Sequence, residues 1–241
     1  MVSEIRSLTA AEITRLQQQG CTCADWSRVK VAENFSAERI RDVHFSGDVQ
    51  VGQLTGTIKF PGGLVRSAGL ARAAIHNCKI GDNVYISNVA NYIANYTIED
   101  DVVIENVDLL AVEGESTFGN GTQICVLNEA GGREVPIYDG LTAQIAYILA
   151  LYRHRSKTIE NIQKMIARYA ASVKSCCGLI ARGARISNSG SLKNIKVGSS
   201  ATVEGATRLE NGTINSCREA PAYIGPGVIA RDFIVSTGAK I

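Results

Sequence analysis

Ile80, Ile86, Ile98 and Ile104 fall on a six-residue lattice, with Tyr92 and Leu110 in the remaining slots. A second small or apolar residue follows four places after most of them: Val84, Ala90, Tyr96 and Val102. Turn formers sit between, as Gly81-Asp82-Asn83, Ser87-Asn88 and Asp100-Asp101. A period of six satisfies neither a helix nor a simple alternating hairpin. It satisfies short strands joined by sharp corners, three faces to a coil of about 18 residues, with coils stacked at about 4.8 Å. The spacing predicts a parallel β-helix.

The same lattice recurs along the chain. IRDVHFSGDVQV (40–51), IHNCKIGDNVYI (75–86) and LKNIKVGSSATV (192–203) align, each with apolar residues at matching steps. Ile180, Ile186 and Leu192 keep the step of six, as do Val203 and Leu209. YIGPGVIARDFIVSTGAKI (223–241) repeats it with Ile224/Val228 and Ala230/Ile234. The step shortens to five at 75–80 and 192–197, which is what a tightened corner gives. Corners favour Gly and Asn because these tolerate positive φ.

IGDNVYI and IGPGV match an aliphatic residue, then Gly, with a small or apolar residue four places after the first, and so the chain resembles the hexapeptide-repeat superfamily. That resemblance implies a left-handed coil assembled as a homotrimer. The whole chain is also similar to the N-terminal part of an uncharacterised bacterial family of longer β-helix proteins. NYIANY (91–96), VEGESTFGNG (112–121), NEAGGREVPIYDG (128–140), ALYRHR (150–155) and LENGTINS (209–216) carry this second likeness. It implies a chain that stops at Ile241 in the middle of a repeat. The expected fold is mainly β: a left-handed parallel β-helix with a short N-terminal helix and an inserted helical hairpin.

Lys plus Arg (25) nearly balance Asp plus Glu (23), so no bulk field points to nucleic acid or an anionic membrane. The N-terminus lacks a signal-type apolar core, and IAYILALY (145–152) is too short to span a bilayer. A cytoplasmic protein is expected. Seven Cys occur without a CxxC pair or a matching His cluster. They read as small buried thiols of a reducing compartment rather than as metal ligands.

SLTAAEITRLQQQG reads as a capped helix, with Thr9 and Glu12 in a capping box, Leu8 stapled to Ile13 and Gly20 at the end. It is placed to cover the first coil. Between Val126 and Cys177 the lattice disappears. Leu141, Ile145, Ile148, Leu149 and Tyr152 share one helical face, and Ile159, Ile162, Ile166, Tyr169 and Val173 form a seam capped by Ser156. The stripes are expected to pack within the chain, with a bundle between subunits as the alternative. The chain thus divides into a helical cap (1–37), coils (38–125), a loop with the hairpin (126–177) and further coils (178–241).

Two sets of residues are candidates for chemistry. The superfamily resemblance implies an acyltransferase in which a histidine takes a proton from an acceptor hydroxyl or amine. His76 is best placed, beside the lattice position Ile75, and His44 lies one repeat earlier. Either also suits a plain surface histidine. The second set is LNEAGGREVPIYDG (127–140), where Gly131-Gly132 exposes backbone N–H groups and Arg133 presents a planar fork, with Asn128 and Glu134 beside it. Arg153, His154 and Arg155 are positioned to clamp a pyrophosphate next to that loop. The alternative is a turn out of the β-helix with ordinary salt bridges.

Three functions remain open. One is transfer of an acyl group from CoA or a carrier-protein thioester to a sugar or amine. A second is binding of a nucleotide-sugar, and the third is a non-catalytic scaffold.

Overall fold

A computed structural model of the chain describes residues 5–125 and 131–241. The protein is mainly β, and its described residues are built on one 17-stranded sheet. Among the described residues only the pair Ile5–Ser7 with Val29–Ala32 runs antiparallel within it. Elsewhere in this sheet the strands pair in parallel with the next turn of the chain. Ile86 pairs with Ile104, 18 residues on, and Ile186 with Val203, 17 residues on.

The register sets three buried columns. Leu70, Ile86, Ile104, Ile186, Val203 and Ile224 form one. Ile80, Ile98, Ile180 and Val197 form the second. Phe45, Ile75, Ile93, Leu110, Leu192 and Leu209 form the third. Each such side chain contributes about 1.5–3 kcal/mol by leaving water, and like shapes stacked in register leave few gaps.

Corners follow the same logic. Asn77, Asn95, Asn194, Asn211 and Asp232 share one corner column, interrupted by Val112 between Asn95 and Asn194, and Asn83, Asp101, Gly183 and Ser200 share another, all of these at positive φ except Val112. A third column holds Gly20, Asp42, Arg72, Asn88, Asn106, Asn188 and Gly205, with φ between 50° and 79°. Asn and Asp tolerate this left-handed region because their short polar side chains hydrogen-bond locally. Asn88 Nδ2 donates to Asn106 Oδ1 and Asn106 Nδ2 to Asn188 Oδ1, each at 3.0 Å, so the corners are also a hydrogen-bonded ladder.

Two readings of the lattice need correction. Tyr92 is exposed, and Ile93 fills its slot. Val89 and Ile93 pair with Val107 and Leu110, so the earlier corner holds one residue more and the lattice slips. The segment 40–51 is displaced by one face: Ile40 stacks on Leu70 and Phe45 on Ile75. All three faces carry the same aliphatic pattern, so a one-face slip still matches apolar to apolar.

At the N-terminus α1 (Ala10–Gln18) starts with the expected reciprocal capping box of Thr9 and Glu12. Its Leu16 joins the main core, and Gly20 ends it at φ 79°. After Ala111 the chain leaves the stack and returns at Gly178, beside Tyr96. The register is unbroken across this excursion, with Leu110 on Leu192. Reciprocal backbone bonds between Ser116 and Ser175, both 2.9 Å, close its base. The excursion holds an antiparallel ribbon, Gln123–Cys125 with Glu134–Pro136, and two helices, α2 (Ala143–Leu151) and α3 (Ser156–Val173). Ser156 is the first helical residue rather than the cap, which is Arg155. Val135, Tyr138, Leu149, Ile159 and Ile166 make a core of their own. The helical stripes therefore pack within the chain. Tyr152 and Tyr169 of those stripes are exposed.

No helix among the described residues is long and apolar enough to cross a membrane. All seven cysteines are free. Cys125, Cys176 and Cys177 are exposed, against the expectation of buried thiols, because they lie on the excursion and its return.

Candidate functional site

The ribbon and the interhelix turn meet. Gly131 and Gly132 turn the chain at φ 78° and 90°, which side chains avoid, and the Gly132 N–H donates to Glu134 Oε1 at 2.9 Å. Arg153 then reaches back, its Nη2 donating to the Glu134 carbonyl at 2.7 Å. The buried Arg153 Nε has no partner among the described residues. Arg133 is exposed. Asn128 lies outside the described residues.

His154 and Arg155 point to different tasks. The His154 ring lies 5.6 Å from that of Tyr152, which in turn meets Tyr147 edge-on at 5.8 Å. Arg155 lines a cleft of about 680 Å³ together with Tyr147, Tyr152, Ile148, Gln144 and Thr158. This volume falls in the range of small-molecule sites, and the lining of aromatic faces with one cation suits a planar, charged ligand. Sequence reasoning missed Tyr147, which lies off the apolar stripe of α2. A tyrosine on the outer side of a packed helix was the available signal.

The second helix is anchored to the segments that flank the ribbon. Tyr169 Oη donates to Asp139 Oδ2 at 2.9 Å, and the Asp139 N–H donates to the buried Asn120 Oδ1 at 2.9 Å. Burial, then the Asp139 carboxylate, push the Tyr169 phenol up to about 12. It stays protonated across the physiological range and holds the bond.

The histidines are elsewhere. His76 is exposed on the strand Gly69–His76, where Nδ1 lies 2.9 Å from Ser46 Oγ and Nε2 lies 2.9 Å from Asn77 Nδ2. Asn77 Oδ1 accepts from the Asp48 N–H at 3.0 Å, which fixes its amide so that Nδ2 faces the ring. Nε2 therefore accepts, and the neutral ring carries its proton on Nδ1, toward Ser46. His44 Nδ1 lies 2.8 Å from Thr22 Oγ1 on the neighbouring coil. Neither histidine lines the hairpin cleft. No cluster of three potential metal ligands occurs among the described residues.

Comparison with known proteins gives a family but no reaction. A family model described as a domain of unknown function (DUF4954) matches residues 5–241. An uncharacterized protein of Treponema pallidum (strain Nichols) is 28% identical over 247 residues, covering 98% of this chain and 34% of that protein. The chain thus spans about a third of the length of that relative.

Proposed function

The chain belongs to the DUF4954 family, and for it we propose a left-handed parallel β-helix of the hexapeptide-repeat kind that binds a nucleotide-bearing donor in the manner of a group transferase. The observation that carries the ligand class is the hairpin cleft. Tyr147 and Tyr152 offer ring faces to a base, and Arg155 offers a charged fork to a phosphate at the same mouth. Acyl-CoA and nucleotide-sugars share that chemistry. The aliphatic columns and the left-handed corner columns support the hexapeptide reading of the fold. Seven unpaired thiols support a cytoplasmic setting.

In the acyl-transfer form of this proposal His76 Nε2 releases Asn77 and takes a proton from the acceptor amine or hydroxyl. The acceptor then attacks the thioester carbonyl, and the thiolate leaves and is reprotonated. A homotrimer supplies the cleft between coils in which that acceptor sits. The exposed edges of the apolar hairpin face, Leu151 and Met165, support the alternative of an assembly scaffold.

Thermal unfolding with acetyl-CoA, free CoA, UDP-sugars and GDP-sugars separates these readings. A ligand at a hundred times its dissociation constant adds about 2.7 kcal/mol. Tyr147→Ala and Arg155→Ala should erase the shift without lowering the ligand-free melting temperature. Silence across the panel, or a shift that survives both substitutions, sinks the donor proposal and leaves the scaffold. His76→Ala with full turnover removes the histidine from the mechanism.

A further inference from the structure

Four arginines meet on one flank of the stack, away from the hairpin. Arg39, Arg41, Arg66 and Arg72 line a cleft of about 500 Å³ together with two carboxylates, Glu38 and Glu105. Stacking brings them together. The strand Ile40–Ser46 lies beside Gly69–His76 with Arg41 opposite Ala71. A Cβ on Gly69 would stand 2.5 Å from the Arg39 carbonyl oxygen, so glycine permits this close approach. An antiparallel hairpin, Thr57–Lys59 with Val65–Ser67, carries Arg66 over the same flank.

The four are not equivalent. Arg66 ion-pairs with Glu105, donates to Tyr85 Oη at 2.8 Å and lies 4.9 Å from the Phe60 ring centroid. It is a fixed wall of the cleft. Arg72 donates to Asn88 Oδ1 and reaches the buried Ser87 Oγ at 3.5 Å. Arg39 and Arg41 have no ion pair and no side-chain hydrogen bond among the described residues. With Arg66 and Glu105 cancelled, three arginines face one carboxylate, an excess of two positive charges.

Arg72 adds a second, independent observation. It has φ 51° in a corner column whose other members are Gly, Asp or Asn. An arginine there carries backbone strain that asparagine would avoid, and strain of this kind marks places where a side chain is held for another purpose. Its side chain lines the same cleft as Arg39 and Arg41, beside Ser87 and Asn88.

We propose that this cleft binds the dianionic phosphate of a phosphorylated small molecule, with Arg39 and Arg41 as its forks and Arg72 completing the cradle. Planar guanidinium groups match phosphate oxygens in pairs. The excess of two positive charges balances a phosphate monoester, and the volume leaves room for a body beside it. The site shares no residue with the hairpin cleft and stands or falls independently of the donor proposal.

The test is calorimetric titration and thermal unfolding of the full chain with inorganic phosphate, against chloride at matched ionic strength. Phosphate should stabilise the protein, and Arg39→Ala/Arg41→Ala should weaken its binding at least tenfold. The same tenfold loss should appear when Arg39→Ala/Arg41→Ala is made in an Arg155→Ala background, which separates this site from the hairpin cleft. Arg72→Asn should also weaken phosphate binding while melting no lower than the unsubstituted chain in its absence. Stabilisation equal in chloride, undiminished binding in Arg39→Ala/Arg41→Ala, or no further loss when that pair is made in the Arg155→Ala background would each overturn the proposal.

Discussion

The stack and the excursion are held together by different means. In the stack, each buried residue sits on the equivalent residue of the next coil, and the corners repeat with it: Ile86 on Ile104 on Ile186, Asn88 on Asn106 on Asn188. In the excursion, a small cluster around Leu149, Ile159 and Ile166 is joined to the rest through the Ser116–Ser175 bridge and the contacts of Phe118. A repeated lattice distributes stability along its length, whereas a local cluster concentrates it. The difference teaches that one chain can insert a separately packed element without disturbing its register, provided that entry and exit are pinned.

The sharpest way to break this comparison is to place a charge in each core. Ile80 is 4% exposed and stacks beneath Ile98. Ile80→Asp buries a carboxylate without a partner and should cost more than about 4 kcal/mol, enough to unfold the chain. Ile166→Asp should instead open only the hairpin. Hydrogen exchange then finds the amides of 143–173 unprotected while those of the strand Val103–Ala111 stay protected. Loss of protection throughout the chain in Ile166→Asp would mean that stack and excursion unfold as one unit.

A smaller effect is expected at the junction between the two. The chain re-enters the stack at Gly178, where a Cβ would stand 2.3 Å from Cε1 of the fully buried Tyr96. Tyr96 cannot yield easily, because its Oη donates to the Ile195 carbonyl at 3.0 Å. Gly178→Ala should therefore cost about 1–3 kcal/mol by overpacking, measured by urea unfolding. Pairing it with Tyr96→Leu, which frees the space, should make the two losses less than additive. Full additivity would locate the fault in the backbone and not in the ring.

Legibility in the sequence tracks the same division. The aliphatic columns were readable because Ile80, Ile86, Ile98 and Ile104 repeat at a fixed step, and the capping box of α1 because it is local. Tyr92 misled because an extra corner residue changes the phase without changing the composition. The meeting of Arg153 with the Glu134 carbonyl was foreseeable as a neighbourhood, since the ribbon and the interhelix turn flank one short helix. The arginine cleft was not. Its arginines span residues 39 to 72 and converge only once the coils are stacked in register. Arg72 looks ordinary in the sequence and exceptional only when its column is known to be Gly, Asp and Asn.

The smallest effect lies at the capped end of the stack and depends on pH. Glu12 accepts from the Thr9 N–H at 2.8 Å and from Thr9 Oγ1 at 2.9 Å, and it pairs with Arg6 at 2.7 Å. The Arg6 hydrogen bonds are the main cause that holds its carboxyl at about 2, with burial opposing and the Thr9 bonds assisting. A folded-state value below the unfolded one means that Glu12 stabilises the fold fully above the ordinary carboxylate range and loses that contribution as pH falls through about 2. Glu12→Gln removes the charge but keeps the shape. It should cost about 1 kcal/mol at neutral pH, the usual size of a helix cap or a partly exposed pair. The wild-type and variant stabilities should then draw together between about pH 5 and pH 2 as the native carboxylate is protonated. A gap that stays constant over that window would mean that Glu12 acts by packing alone. The cap would then owe its place over the first coil to Leu16 in the core and not to its charges.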